Sequence, residues 1–269
     1  MPVSLDEIVV ATRRRVAETK PAADLPQLGR LADDHVPRGF RRRLESVAAS
    51  GIAVIAELKP ASPSRGLIRP DFEPRSLAEE LERAGAAALS VLTDAEFFQG
   101  SLENLQRASA NTRLPCLRKD FIVDEFQLLE ARAHGADAIL LIVAALSDVE
   151  LNKLAARATE YKLDVLCEVH DEEELQRAVD AGCSLIGVNS RDLRTFRVDL
   201  ETSFRLADLI PKSVLPVAES GIRCGADIAR LRAAGYRAFL IGESLMKAKS
   251  PGDALRALLM EAEHESHVR

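Results

Sequence analysis

Five charged side chains interrupt the apolar runs of this 269-residue sequence. Glu57 and Lys59 lie in IAVIAELK (52–59), Lys119 in LPCLRKD (114–120), Glu168 in LDVLCEV (163–169) and Glu219 in VLPVAES (214–220). Asn189 closes a further run, DAGCSLIGVN (180–189). Burying an ion is costly unless it is paired or put to use. A strand-end charge that reaches solvent is ordinary when it occurs once. Here the same feature recurs at the same end of run after run, which solvation alone explains poorly. Lysines among carboxylates stay protonated, while burial drives them toward neutrality. A cluster of this kind holds general acids and general bases in one place.

The elements that must bring these residues together read as a repeat. RAGAAALSVLT (83–93), AHGADAILLIV (133–143), DAGCSLIGVN (180–189) and AAGYRAFLIG (233–242) share a helix-like stretch, a glycine and an apolar run. Gly85, Gly135, Gly182 and Gly235 fit the left-handed position after a helix, which reverses the chain into a strand. With the four runs first quoted, this makes eight apolar runs separated by amphipathic stretches such as RSLAEELERAG and DEEELQRAVDAG. Strands alternating with helices of this length predict a parallel α/β sheet. Eight such units in a chain of this size predict a closed (β/α)8 TIM barrel, with residues 1–269 as one domain. A doubly wound open sheet is the second choice, disfavoured by the even spacing and the lack of GxGxxG after the first strand. Residues 1–50 read as an N-terminal helical extension, with helices over 5–20 and 37–50 and a linker over 21–29.

Side chains alternate along a strand, so Glu57 and Lys59 share the face of Ile55, and Leu58 points toward the helices. The charged residues come late in their strands, at the mouth where barrels carry their active sites. The loop after the first strand, KPASPSRGLIRPDFE, runs about 14 residues against ~2–6 for a common βα loop. It reads as a binding loop, with Gly66 as its hinge. Ser220 and Gly221 follow the seventh run, and Gly242, Glu243 and Ser244 follow the eighth, positions where barrels bind phosphate through backbone N–H groups.

Composition narrows the classes. A formal net charge of −6 argues against non-specific nucleic-acid binding. The basic clusters Arg13–Arg15 and Arg41–Arg43 read as solvated helix faces. No run of apolar residues is long enough to span a bilayer, and the first 20 residues lack a secretory h-region. Cys116 and Cys167 read as core thiols, and none of Cys116, Cys167, Cys183 and Cys224 has metal-ligand spacing to a histidine, so a reducing, cytoplasmic setting follows. His170 reads as a loop or capping residue, and His264 and His267 as parts of a charged tail.

ELKPASPSRGLI, SVLTDAEFFQGS, LRKDFIVDEFQLLEARAHGADAILLI, CEVHDEEEL, GVNSRDLRTF, VAESGI and FLIGESLM, in this order, resemble the indole-3-glycerol phosphate synthase family. The resemblance covers nearly the whole chain. It implies a lyase of tryptophan biosynthesis that needs no cofactor or metal. Its substrate would be 1-(2-carboxyphenylamino)-1-deoxyribulose 5-phosphate, and its products indole-3-glycerol phosphate, carbon dioxide and water. The motifs carry over Lys119 as general acid, Glu168 as general base, and Glu57, Lys59, Asn189 and Glu219 as their catalytic neighbours. They carry over Ser62, Phe121, Arg191, Ser220, Gly221, Gly242, Glu243 and Ser244 as substrate-binding residues, with Phe121 flanking the aromatic ring and Arg191 orienting the carboxylate. Cys167 stands where the family commonly has valine, and Leu58 where it has tyrosine. Two other readings stay open on the residues alone: a Schiff-base aldolase using Lys119 or Lys59, and a non-catalytic barrel that binds a phosphorylated metabolite.

Overall fold

Below the mouth of the barrel the inward strand residues are small or aliphatic, and the outward ones match the apolar stripe of a covering helix. A computed structural model describes residues 4–63, 65–192 and 197–267, with side chains as far as 265. Residues 193–196, within the motif GVNSRDLRTF, and the side chain of His267 lie outside the described residues. The strands are β1 (Ala53–Leu58), β2 (Ala88–Leu92), β3 (Cys116–Lys119), β4 (Ala138–Ile142), β5 (Asp164–Val169), β6 (Leu185–Asn189), β7 (Leu215–Glu219) and β8 (Ala238–Ile241). All neighbours pair in parallel, and β1 pairs with both β2 and β8, so the sheet closes. This is the (β/α)8 barrel, and closure excludes the open doubly wound sheet. Ile55, Leu117, Leu140, Leu166 and Val217 fill the interior. Leu58, Val91, Ile139 and Val188 face outward onto helix residues such as Leu77, Leu105 and Leu128.

Helices α4 (Pro74–Arg83), α5 (Leu102–Ala110), α6 (Phe126–Ala133), α7 (Asp148–Glu160), α8 (Glu172–Asp180), α9 (Glu201–Ala207) and α10 (Gly225–Ala233) join successive strands. The short α11 (Glu243–Lys247) and the long α12 (Pro251–His267) follow β8. The repeat glycines 85, 135, 182 and 235 have φ of 97°, 83°, 74° and 110°, the reversal the sequence pattern predicts.

The N-terminal helices touch both mouths of the barrel. In α1 (Leu5–Thr19), Ile8 is buried, and Arg15 lies 3.3 Å from Asp120 and 3.6 Å from Asp94, beyond the C-terminal ends of β3 and β2. In α3 (Phe40–Ala48), Phe40 and Leu44 are fully buried with the interior residues at the opposite end. Arg38 binds Asp137 at 2.7 Å, and the Arg41 backbone N–H donates to Asp164 at 2.9 Å, just ahead of β4 and at the start of β5.

Three sequence readings need correction here. Residues 21–29 are not a linker. A 3₁₀ turn (Lys20–Ala22) leads into α2 (Leu25–Asp34), which packs on α6. Asp24 caps it by accepting from the Gln27 N–H at 2.9 Å, and Pro26 stands in the first turn, where a missing N–H costs nothing. Nor is Cys167 a free core thiol: it is bonded to Cys183, joining β5 to the approach of β6. Cys116 and Cys224 are free. The cysteines therefore give no support to a reducing compartment. The Arg13–Arg15 cluster is likewise more than a solvated face, since Arg15 reaches two buried carboxylates.

Candidate active site

Alternation along β1 turns Glu57 inward, and Lys59 follows two residues on, with its Nζ 2.5 Å from Glu57 Oε2. β3 delivers Lys119, β5 Glu168, β6 Asn189 and β7 Glu219 to the same mouth. Lys119 Nζ donates to Glu168 Oε2 at 2.5 Å and to Glu219 Oε2 at 3.0 Å. Asn189 Nδ2 donates to Glu168 Oε1 at 3.0 Å. Glu57, Glu168 and Glu219 are nearly inaccessible, and Lys119 keeps 12% of its side chain open to the cavity.

Small residues make room for this cluster. A Cβ on Gly187 would come within 1.9 Å of Glu219 Oε1, and one on Gly242 within 2.2 Å of Glu57 Oε2. Gly242, chosen from the sequence for phosphate, leaves the space that the Glu57 carboxylate fills. Gly187 was missed, and only its place mid-strand in a barrel wall signals the close approach.

The electrostatics follow from contact and burial. Burial opposes the Lys119 ammonium, but Glu168, Glu219 and Glu57 outweigh it and hold the amine above the ordinary lysine range. Burial likewise opposes the Glu168 carboxylate, and Lys119 and His170 hold it below the usual range. Glu219 goes the other way: burial, with repulsion from Glu168, pushes it up to about 7. Two carboxylates flanking one ammonium thus differ in proton affinity, the condition for acid and base roles in one site.

A cavity of about 720 Å³ lies over these groups. It collects every residue chosen from the sequence: Glu57, Lys59, Lys119, Glu168, Asn189 and Glu219 at the floor, and Ser62, Phe121, Arg191, Ser220, Gly221, Gly242, Glu243 and Ser244 around the wall. It also brings in Arg65, Phe98 and Lys247, which sequence reasoning passed over. Phe98 and Phe121 pair with ring centroids 6.1 Å apart, forming an aromatic side. Elsewhere on the lining, Glu243 lies 3.3 Å from Arg65, 3.5 Å from Arg191 and 2.5 Å from Lys247. Three cations converging on one carboxylate make an anion end. Lys247 was legible as the i+4 neighbour of Glu243; Arg65 was not, since the loop that carries it has no period. That loop folds into a small ribbon, Ala61–Ser62 against Gly66–Leu67, and Arg69 ties it to the Met246 and Ala248 carbonyls at 3.3 and 3.0 Å. Ser220 and Gly221 are both left-handed, with φ of 63° and 83°. A serine held there is strained, as residues at functional loops often are.

His170 is more than a capping residue. Its backbone N–H and its Nδ1 both meet Glu174 Oε2, at 2.8 and 2.9 Å, and its Nε2 lies 3.5 Å from Glu168 Oε1. Burial works against the charged ring, but Glu168 and Glu174 raise it to about 10.

An eightfold barrel with lysines set among buried carboxylates at the C-terminal ends of its strands is the arrangement of an acid–base enzyme. The model of the family "Indole-3-glycerol phosphate synthase" matches residues 5–258. An indole-3-glycerol phosphate synthase of Koribacter versatilis (strain Ellin345) is 60% identical over 96% of this chain and 100% of its own length. Another, of Desulfotalea psychrophila (strain LSv54 / DSM 12343), is 47% identical over 94% of this chain and 97% of its own. A solved thiamine phosphate pyrophosphorylase from Pyrococcus furiosus superposes with a TM-score of 0.60 at 18% identity, over 80% of this chain and 96% of that one, a likeness of fold. The chain belongs to the indole-3-glycerol phosphate synthase family, carboxy-lyases of tryptophan biosynthesis.

Proposed function

We propose that the cavity closes, decarboxylates and dehydrates 1-(2-carboxyphenylamino)-1-deoxyribulose 5-phosphate with the residues at its floor. The observation that carries this reading is Lys119 Nζ held between Glu168 and Glu219 inside a pocket with one aromatic and one cationic end. The phosphate lies at the Arg65–Arg191–Lys247 end, beside Ser62, Gly221, Gly242 and Ser244, and displaces Glu243 from some of its partners. The carboxyphenyl ring lies against Phe98 and Phe121. This orientation sets the ketone over the lysines.

The ring carbon bearing the carboxylate attacks the ketone carbon, and a C–C bond forms. Negative charge develops on the ketone oxygen, and Lys119 donates a proton to it. The C–CO₂ bond then breaks, its electrons restore the aromatic ring, and carbon dioxide leaves. The remaining hydroxyl departs as water with a proton from Lys59. Glu168 takes the proton from the adjacent carbon, and the indole double bond forms. Glu57 and Glu219 hold the lysines charged, and Asn189 orients Glu168. The pairing of Arg191 with Glu243 supports a place at the phosphate rather than at the carboxylate. A protonated Lys119 is a poor Schiff-base nucleophile, which counts against the aldolase reading.

The test is turnover itself. Added substrate should yield indole fluorescence and one equivalent of carbon dioxide with no metal or cofactor supplied. Tight binding of the substrate without product would leave a binding barrel instead.

A further inference from the structure

We infer that His170 is a positioning residue for Glu168, the cation that takes over as its counter-charge when Lys119 turns to the substrate. The inference rests on the reading of Glu168 as the base. At rest each oxygen of Glu168 has a donor: Lys119 at Oε2, 2.5 Å away, and Asn189 at Oε1, 3.0 Å away. The reaction removes the first of these, because a lysine that protonates a ketone oxygen loses its charge. Glu168 would then lie buried beside Glu219 with a neutral amide as its nearest donor, and a buried carboxylate so placed takes up a proton. A protonated Glu168 cannot accept the proton of the final step.

His170 answers this from outside the strand cluster. Glu174 stands on the first turn of α8, its N–H bound by the Asp171 cap at 2.9 Å. Its Oε2 accepts from both the His170 backbone N–H and Nδ1, which fixes the ring and turns Nε2 toward Glu168 Oε1 at 3.5 Å. That Nε2 is buried and has no hydrogen-bond partner among the described residues. The imidazole thus has one edge anchored and the other aimed at the carboxylate, as when a carboxylate fixes the tautomer of a working histidine. The charged and polar groups around Glu168 are Lys119 from β3, Asn189 from β6, Glu219 from β7 and His170 from the loop after β5, with Glu57 of β1 acting through Lys119. Of these, His170 is the cation that the chemistry leaves untouched.

Removing a cation raises the pKa of a neighbouring carboxylate. His170→Asn should therefore move the acidic limb of kcat, which reports groups in the enzyme–substrate complex, upward by about one pH unit, so that turnover on that limb falls about tenfold and recovers as pH rises. KM should change little. His170→Lys, which keeps the charge, should return the limb toward its original place. A loss uniform across pH, or an unmoved limb, would overturn the inference and leave a packing role. Should His170→Asn not fold, the ¹⁵N shifts of His170 in the unaltered enzyme decide: an imidazolium at pH 8 supports the inference, and a neutral ring at pH 7 overturns it. Glu168→Gln separates the two readings. Full turnover by that variant removes the base assignment and this inference with it, whereas an inactive Glu168→Gln beside an unmoved His170→Asn limb removes only the inference.

Discussion

Lys119 shows what a single residue decides. Its ammonium donates to both Glu168 and Glu219, so Lys119→Ala should cut turnover by about 10²–10⁴, the span of a general acid. Near-normal kcat at saturating substrate would take Lys119 out of the chemistry. Gly187→Ala is a quieter test of the same floor. Its methyl would occupy the place of Glu219 Oε1, and overpacking of this sort costs about 1–3 kcal/mol. The variant should lose kcat far more than it loses melting temperature, since the carboxylate must move and the barrel wall need not. At this scale the sequence was informative where charge broke an apolar run. Glu57, Lys119, Glu168 and Glu219 could be found because alternation assigns each strand residue a face. Gly187 and Phe98 could not, because nothing local distinguishes a glycine that yields space from one that bends a strand, or a cavity phenylalanine from a core one. Cys167 and Cys183 are 16 residues apart without a pairing motif, and their bond depends on two adjacent strands. Unreduced, unfolded protein should accordingly titrate with two thiols, Cys116 and Cys224, rather than four.

Among the elements, the ribbon after β1 and the short α11 act as a pair. Arg69 bridges them through two carbonyls, and Arg65 on the same loop faces Glu243. Arg69→Ala should loosen the loop from the anion end. We expect a several-fold rise in KM with kcat largely kept, read from initial rates over a range of substrate concentration; equal KM values would disconnect the loop from binding. The eight strands and the helices joining them were legible because the helix–glycine–strand unit recurs through the chain. The α2 helix was not, because Pro26 and Gly29 look like breakers. Pro26 falls in the first turn, where proline is tolerated, and burial against α6 outweighs the weak propensity of Gly29.

On the scale of the molecule, the first fifty residues meet the barrel through buried polar pairs as well as through Ile8, Phe40 and Leu44. Asp137 receives Arg38 through both guanidinium and backbone, His35 at 3.2 Å and the Cys116 N–H at 2.7 Å. Burial alone would raise its pKa, but His35 and Arg38 together bring it below the usual carboxylate range. A carboxyl lowered in this way stabilises the fold fully above its unfolded value, and the contribution is lost as pH falls through the folded value. Arg38→Met should cost about 3–5 kcal/mol at neutral pH, as for other broken buried pairs. The deficit, read by urea unfolding, should narrow in acid, where protonation of Asp137 removes the unpaired charge. A deficit independent of pH would mean that Arg38 acts by packing alone. The same clasp bears on how the chain is made. Arg15 and Arg38 meet Asp120 and Asp137 across separations of 105 and 99 residues, so a growing chain releases these helices from the ribosome well before their anchors have been synthesised. They stay undocked until those anchors emerge, so each end of the barrel is closed by a segment made long before the wall it rests on.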